Sequence, residues 1–394
     1  MQYLMNSRSE AIIKNQDNKI WINELDFLRA FAVLAVIMIH TVAKFKEIDS
    51  LNSLVYVNVF IDVVSHFAVP VFILISGIVL SYNYYENINY KSYYIKRFFS
   101  IIPQFLFFST FYLVFSVVMG HRNPSFSRAI DLIISGESSY HLWFFVLLIQ
   151  FYLIYPLLIK LYFLCLSRHK LSLFIILPLI IQILFYFLSV FLPAPYDKNI
   201  SSLIDYYIHN VFISNIFYFV LGIHFGRNVK SMKNYINNVN DKLLYFLLIL
   251  SNVSIYVIKI RGMEIYGTNE INTLFLLPIK TIEPLQYILS FILLWKIASK
   301  LIEKSNLVIR SLKDIGRFSF GIYLVHVFYI IVLTKILGPY KITFSDWTYY
   351  PIIFIFVSIL SYLTCKIISF TPFSYSVIGI RSASAKTRAP VYKG

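Results

Sequence analysis

The chain has 394 residues, of which 58% are hydrophobic and only 14% charged, which leaves too little polar surface to cover a water-soluble globule of this size. Its net charge of +16 invites a nucleic-acid partner, but the Lys and Arg residues fall in short loops between apolar blocks, with no basic face interleaved with stacking aromatics. The two cysteines, Cys165 and Cys365, offer neither a disulfide framework nor a metal-ligand spacing, so the expected environment is the lipid bilayer, with no nucleic acid and no metal.

The apolar blocks run to about 20 residues, the length at which a helix rising about 1.5 Å per residue crosses about 30 Å of hydrocarbon. In chain order, hydropathy and punctuation predict helices at 25–43, 60–82, 98–118, 142–164, 171–192, 207–226, 242–260, 271–295, 317–338 and 348–371. The first is too long for a signal-peptide core, carries Arg29 and lacks a small-residue cleavage site after it, so it is expected to stay as the first span. The eighth is interrupted by Lys280, Glu283 and Pro284. The fold class is therefore an all-α, polytopic bundle of about ten transmembrane helices in the cell membrane.

With residues 1–24 as a cytoplasmic N-terminal segment, the inner loops collect basic residues such as Lys91, Lys96, Arg97, Arg168, Arg227, Lys296, Arg310 and Arg317. The outer loops hold Lys44, Lys46, Arg122, Arg128, Lys198, Lys259, Arg261 and Lys341, so basic residues favour the inner side by roughly three to one. An even number of spans places both termini in the cytoplasm. A transmembrane domain then occupies 25–371, and 372–394 is a cytoplasmic tail. The tail's last stretch, RSASAKTRAPVYKG, turns abruptly to Ala, Ser and Arg and reads as disordered. No inverted repeat of the transporter kind is visible.

Ionisable groups inside apolar spans demand a partner, a water-filled cavity or a function. Arg29 and His40 are eleven residues apart, which returns them to within about 20° of one helix face, separated by about 16 Å along the axis. Arg29 alone reads equally as a snorkelling interface residue, and His40 alone as an interhelical hydrogen-bonding group. Together they offer a cation able to hold a phosphorylated carrier and an imidazole able to take a proton from a hydroxyl. Asp62 and His66, four apart, share a face of the second span and read either as a site pair or as a helix-end pair. Glu283 in the eighth span and His326 in the ninth are further candidates for a polar interior, and Lys280 is placed to neutralise Glu283.

Five strings in order give these residues a context. LDFLRAFAVLAVIMIH (25–40), with its Arg-x10-His spacing, resembles the opening helix of the acyltransferase-3 family of integral membrane acyl-transfer proteins. VPVFILISGIVL (69–80), with Ser76 and Gly77, is similar to the family's second helix, and YIKRFFSIIP (94–103) to the basic start of its third. There Arg97 matches, but Ser100 stands where a second basic residue often occurs. HLWFFVLLIQFYLIYPLL (141–158) and IGRFSFGIYLVH (315–326) resemble two further signatures and give weight to His141, Trp143 and His326.

The resemblance implies an enzyme that takes an acyl group, commonly acetyl from cytoplasmic acetyl-CoA, and delivers it to an acceptor beyond the outer face. Arg29, Arg97 and Lys96 would hold the coenzyme phosphates, and His40 would act as general base or transient acyl acceptor. Asp62, His66, His141, Trp143, Glu283 and His326 would contribute to substrate binding. For a member without a fused hydrolase-like domain, a hydroxyl of a cell-envelope or exported polysaccharide is the expected acceptor, with other polysaccharide-biosynthesis proteins as further partners. The rival readings are a transporter or flippase for lipid-linked sugars and a non-catalytic partner in polysaccharide export.

Overall fold

The structure, a computed structural model, describes residues 22–84, 88–191, 211–267, 273–304 and 306–380. These residues build α1 (Glu24–Val42), α2 (Ser53–Ser65), α3 (Ala68–Asn83), α4 (Tyr90–Val118), α5 (Phe126–Ser135), α6 (Trp143–Ser167) and α7 (Leu171–Phe191). The second half adds α8 (Ile216–Arg227), α9 (Val229–Asn238), α10 (Asp241–Tyr266), α11 (Thr273–Ile302), α12 (Leu307–Leu337), α13 (Tyr349–Ile368) and α14 (Ser374–Ile378). There is no strand among them. Nine stretches are long and apolar enough to cross a membrane among the described residues, α2 and α3 together forming one of them. The chain is thus a multi-pass, all-α membrane protein.

The sixth expected span corresponds to α8, whose 12 residues follow a 3-10 turn at Phe212–Asn215. The part at 207–210 lies outside the described residues. The second span starts at Ser53 rather than near 60 and is broken between α2 and α3 at His66 and Phe67. Pro70 explains the break, because its ring lacks an N–H and would collide with the carbonyl of residue 66 in a continuous helix. The eighth span runs unbroken from Thr273 to Ile302, and its two charges neutralise one another, Lys280 Nζ lying 2.9 Å from Glu283.

Several spans begin well before their apolar stretch because asparagine caps set the helix start. Asn89 accepts from Ser92 N at 3.0 Å and Asn306 from Ile309 N at 2.9 Å, so α4 and α12 open eight and ten residues ahead of the hydropathy boundary. Three amphipathic or short helices were not anticipated: α5, α9 and α14. The last occupies the start of the expected tail. Gln104 Nε2 donates to Tyr375 O at 2.5 Å, and Gly379, in the left-handed region at φ +72°, folds the chain back against Phe320. Residues 381–394 lie outside the described set.

Helix α1 is the central rod. It packs on α2, α3, α11, α12 and α13, with Leu28, Ala30, Ala32, Val33 and Ile37 fully buried. Two close crossings fix its neighbours. Gly316 of α12 lies against the Asp26 carbonyl, where a Cβ would collide with backbone. Gly77 of α3 faces Gly222 of α8, Gly226 one turn on faces Ile78 and Ser81, and a Cβ on Gly222 would strike the Leu74 carbonyl oxygen. Small residues four apart let the two backbones approach closely, the usual basis of helix pairing in lipid. Successive spans reverse direction, which gives the bundle an N-terminal face, where Glu24 pairs with Lys233 at 2.7 Å, and an opposite face carrying α5 and the Ala43–Glu47 turn.

Candidate functional site

Near the N-terminal face, α1, α3, α4, α6 and α12 surround a cavity of about 290 Å³ that Arg29, Ser76, Arg97, Ser100, Tyr152 and Arg317 line. Arg29 Nη1 pairs with Asp26 one turn back at 3.1 Å, a contact that aims the guanidinium along α1 rather than out to lipid. Arg97 is held by aromatics instead. Its Nη2 donates to Tyr84 Oη at 3.3 Å, and its Cζ lies 5.5 Å from the Tyr84 ring centre and 5.6 Å from that of Tyr152. Its Nε is buried with no hydrogen-bond partner. Lys96, expected beside these cations, is exposed and does not line this cavity. Arg317 takes the third cationic position.

Toward the opposite face a second cavity, of about 220 Å³, is lined by His40, His66, Trp143, Lys280, Glu283 and Tyr287. Tyr323 lines both cavities. The Arg29 and His40 side chains thus project from one helix into two chambers that meet at a single tyrosine. Four of the residues expected to bind substrate, His66, Trp143, Glu283 and the neighbouring His326, surround or adjoin the chamber that holds His40.

Three imidazoles come together there. The His40 and His326 ring centres are 5.3 Å apart, and those of His326 and His141 are 5.2 Å apart. His326 Nδ1 lies 2.6 Å from the Tyr323 carbonyl oxygen. A carbonyl can only accept, so Nδ1 carries the proton and Nε2 presents a lone pair. That Nε2 is buried and has no hydrogen-bond partner, as is Nε2 of His141. His141 is held on its other side by Ser139 Oγ at 3.0 Å, and its carbonyl accepts from Tyr323 Oη at 2.5 Å. Tyr140 completes the group, its ring centre 5.0 Å from that of His40.

The backbone is opened where His326 sits. Tyr112 Oη donates to Leu324 O at 2.8 Å and accepts from Phe328 N at 3.1 Å. Those two groups are the pair that a regular α-helix joins directly, so a side-chain hydroxyl from α4 has entered the ladder of α12 one turn around His326.

Asp62 is buried but does not line the chamber. It forms an ion pair with Lys259 of α10, and His66 Nδ1 lies 2.7 Å from its carbonyl oxygen and 3.4 Å from its carboxylate. Lys259, expected in a loop, is instead a helical residue facing the bundle interior. Among the described residues no group of His, Cys, Asp and Glu has the arrangement to hold a metal ion. Sequence reasoning missed Tyr112, Tyr140, Tyr152, Arg317 and Tyr323. The first two carry no signal in an aromatic-rich chain, whereas Tyr152 lies inside the 141–158 string and Arg317 and Tyr323 inside the 315–326 string.

No curated protein and no solved structure matches the chain significantly. The family model of the acyltransferase domain, acyltransferase-3, matches residues 22–366. That match runs from the first turn before α1 into the last residues of α13 and so takes in every membrane-spanning helix that lines the two chambers, while the short α14, whose Ile378 lines the first, lies beyond it. The chain belongs to the acyltransferase-3 family and is a membrane acyltransferase.

Proposed function

We propose that this chain moves an acyl group, acetyl in the simplest case, from cytoplasmic acyl-CoA to a hydroxyl of a cell-envelope or exported polysaccharide in the cell membrane. The observation that carries the reading is the pair of chambers meeting at Tyr323, with guanidinium groups in one and His40 in the other. The excess of Lys and Arg on the N-terminal face supports reading that face as the cytoplasmic one. Arg29, Arg97 and Arg317 then hold the coenzyme phosphates, for which the planar guanidinium fork is suited. About 16 Å of α1 separates Arg29 from His40, an interval that the extended pantetheine arm of the coenzyme spans.

In the second chamber a sugar hydroxyl gives its proton to His40 as its oxygen attacks the thioester carbonyl. The carbon–sulfur bond breaks, the ester forms, and the coenzyme leaves as a thiolate that takes up a proton. His326 supports this step from behind. Its Nε2 lone pair, which has no hydrogen-bond partner in the structure, is available to accept the N–H of His40 when the rings draw together, which would fix the tautomer and turn the other His40 nitrogen to the acceptor, the logic by which a second group orients a catalytic imidazole. Trp143, Tyr287 and the Lys280–Glu283 pair provide the aromatic wall and hydrogen-bonding groups that a sugar ring requires.

The test is the envelope polysaccharide itself. His40→Ala, expressed at the level of the unaltered protein, is expected to abolish its O-acyl NMR signals, a general base contributing about 10²–10⁴-fold. Retention of those signals at full intensity overturns the role of His40.

A further inference from the structure

A third cavity, larger and open, lies on the face opposite the N-terminus, with a volume of about 710 Å³. Arg122, Asn123, Arg128, Ser139, Tyr140 and Trp143 line it. Its wall is built rather than loose. Ser125 caps α5 at Arg128 N, Gly136 reverses the chain at φ +78°, and Ser109 of α4 donates to the Ile133 carbonyl at 2.9 Å. Two of its residues connect it to the chemistry. Trp143 lines both this cavity and the His40 chamber, and the Tyr140 ring, 56% exposed, contacts His40.

The charges here are unequal. Arg128 pairs with the Glu137 carboxylate at 3.0 Å, whereas Arg122 donates only to the Glu137 backbone carbonyl, at 2.9 Å. Among the described residues Arg122 has no carboxylate partner within ion-pair distance. Two guanidinium groups thus share one acid beside two aromatic rings, a combination that suits a sugar polymer bearing negative charge. We infer that this vestibule binds an anionic glycan, with sugar faces on Tyr140 and Trp143 and a carboxylate or phosphate on Arg122 and Arg128, and that it feeds the acceptor hydroxyl to His40. The inference rests on the acyl-transfer reading for the fate of the bound glycan, but not for the binding itself.

Calorimetric titration of the full chain in lipid nanodiscs tests it with three probes of matched length. These are a uronic-acid oligosaccharide, its carboxyl-reduced neutral counterpart and a glycerol-phosphate oligomer. At least one anionic probe is expected to bind about tenfold more tightly than the neutral one, and whichever does identifies carboxylate or phosphate as the recognised group. Arg122→Gln with Arg128→Gln is expected to erase that difference, leaving neutral-sugar affinity and thermal stability unchanged. Equal affinity for all three probes, no binding of either anionic probe, or an undiminished preference in the double variant overturns the inference. Anionic binding without transfer of label from radiolabelled acyl-CoA would instead overturn the acyl-transfer reading and leave the vestibule standing.

Discussion

Tyr112→Phe removes one oxygen atom from the wall behind His326, and its consequences can be worked out from two distances. The hydroxyl donates to Leu324 O at 2.8 Å and accepts from Phe328 N at 3.1 Å. Its loss frees both groups, but they belong to successive turns of one helix and can bond to each other once the ladder closes. Two hydrogen bonds are exchanged for one, a net loss of about 1 kcal/mol. In a protein of this size that lowers the thermal midpoint by about 2 °C or less. Function is expected to respond far more strongly. Closing the ladder turns the segment that carries His326, and a displacement of about 1 Å in a group that positions a catalytic imidazole can cost about 10²-fold in rate. Thermal unfolding in nanodiscs and the turnover of labelled acyl-CoA on one preparation check the two halves together. Turnover at the unaltered rate would refute the claim that the opened ladder positions His326. A loss of stability above about 3 kcal/mol would refute the claim that the two backbone groups can find each other.

The buried pair of Asp62 and Lys259, with side chains 5% and 12% exposed, gives a second test. Asp62→Leu and Lys259→Met should each cost about 3 kcal/mol by stranding the other charge, whereas the double variant should recover most of that loss, as measured by a double-mutant cycle of unfolding in detergent. Additive losses would mean that the two charges do not depend on one another. On the proposed donor role, Arg317→Ala should raise the KM for acyl-CoA about tenfold with little change in kcat, because a group that holds phosphate acts in ground and transition states alike. A fall in kcat at constant KM would move Arg317 from the donor site to the chemistry.

The membrane character of the chain and most of its spans were legible because hydrophobic length is a one-dimensional signal. Helix starts were not, since caps such as Asn89 and Asn306 lie in polar sequence ahead of the apolar stretch. The break at His66 could have been anticipated from Pro70, four residues on. Arg29 and His40 were readable as a pair because one straight helix carries both, and helical periodicity fixes their common face. The juxtaposition of His40 with His326 and His141 was not readable. It depends on how α1, α12 and the residues before α6 cross, and that is set by close approaches such as Gly316 on the Asp26 carbonyl. The resemblance of YIKRFFSIIP to a basic helix start put Lys96 with Arg97 at the donor site, yet neighbouring residues on a helix point about 100° apart, and of the two only Arg97 lines the cavity.

Transfer across the membrane requires that the acyl group enter from one face and leave as an ester on the other. Inverted membrane vesicles present the cytoplasmic face outward, so labelled acyl-CoA can be added outside with the glycan acceptor loaded in the lumen. Such transfer puts label on the luminal glycan, and none when donor and acceptor are both outside. Efficient transfer with both on the outside would contradict it.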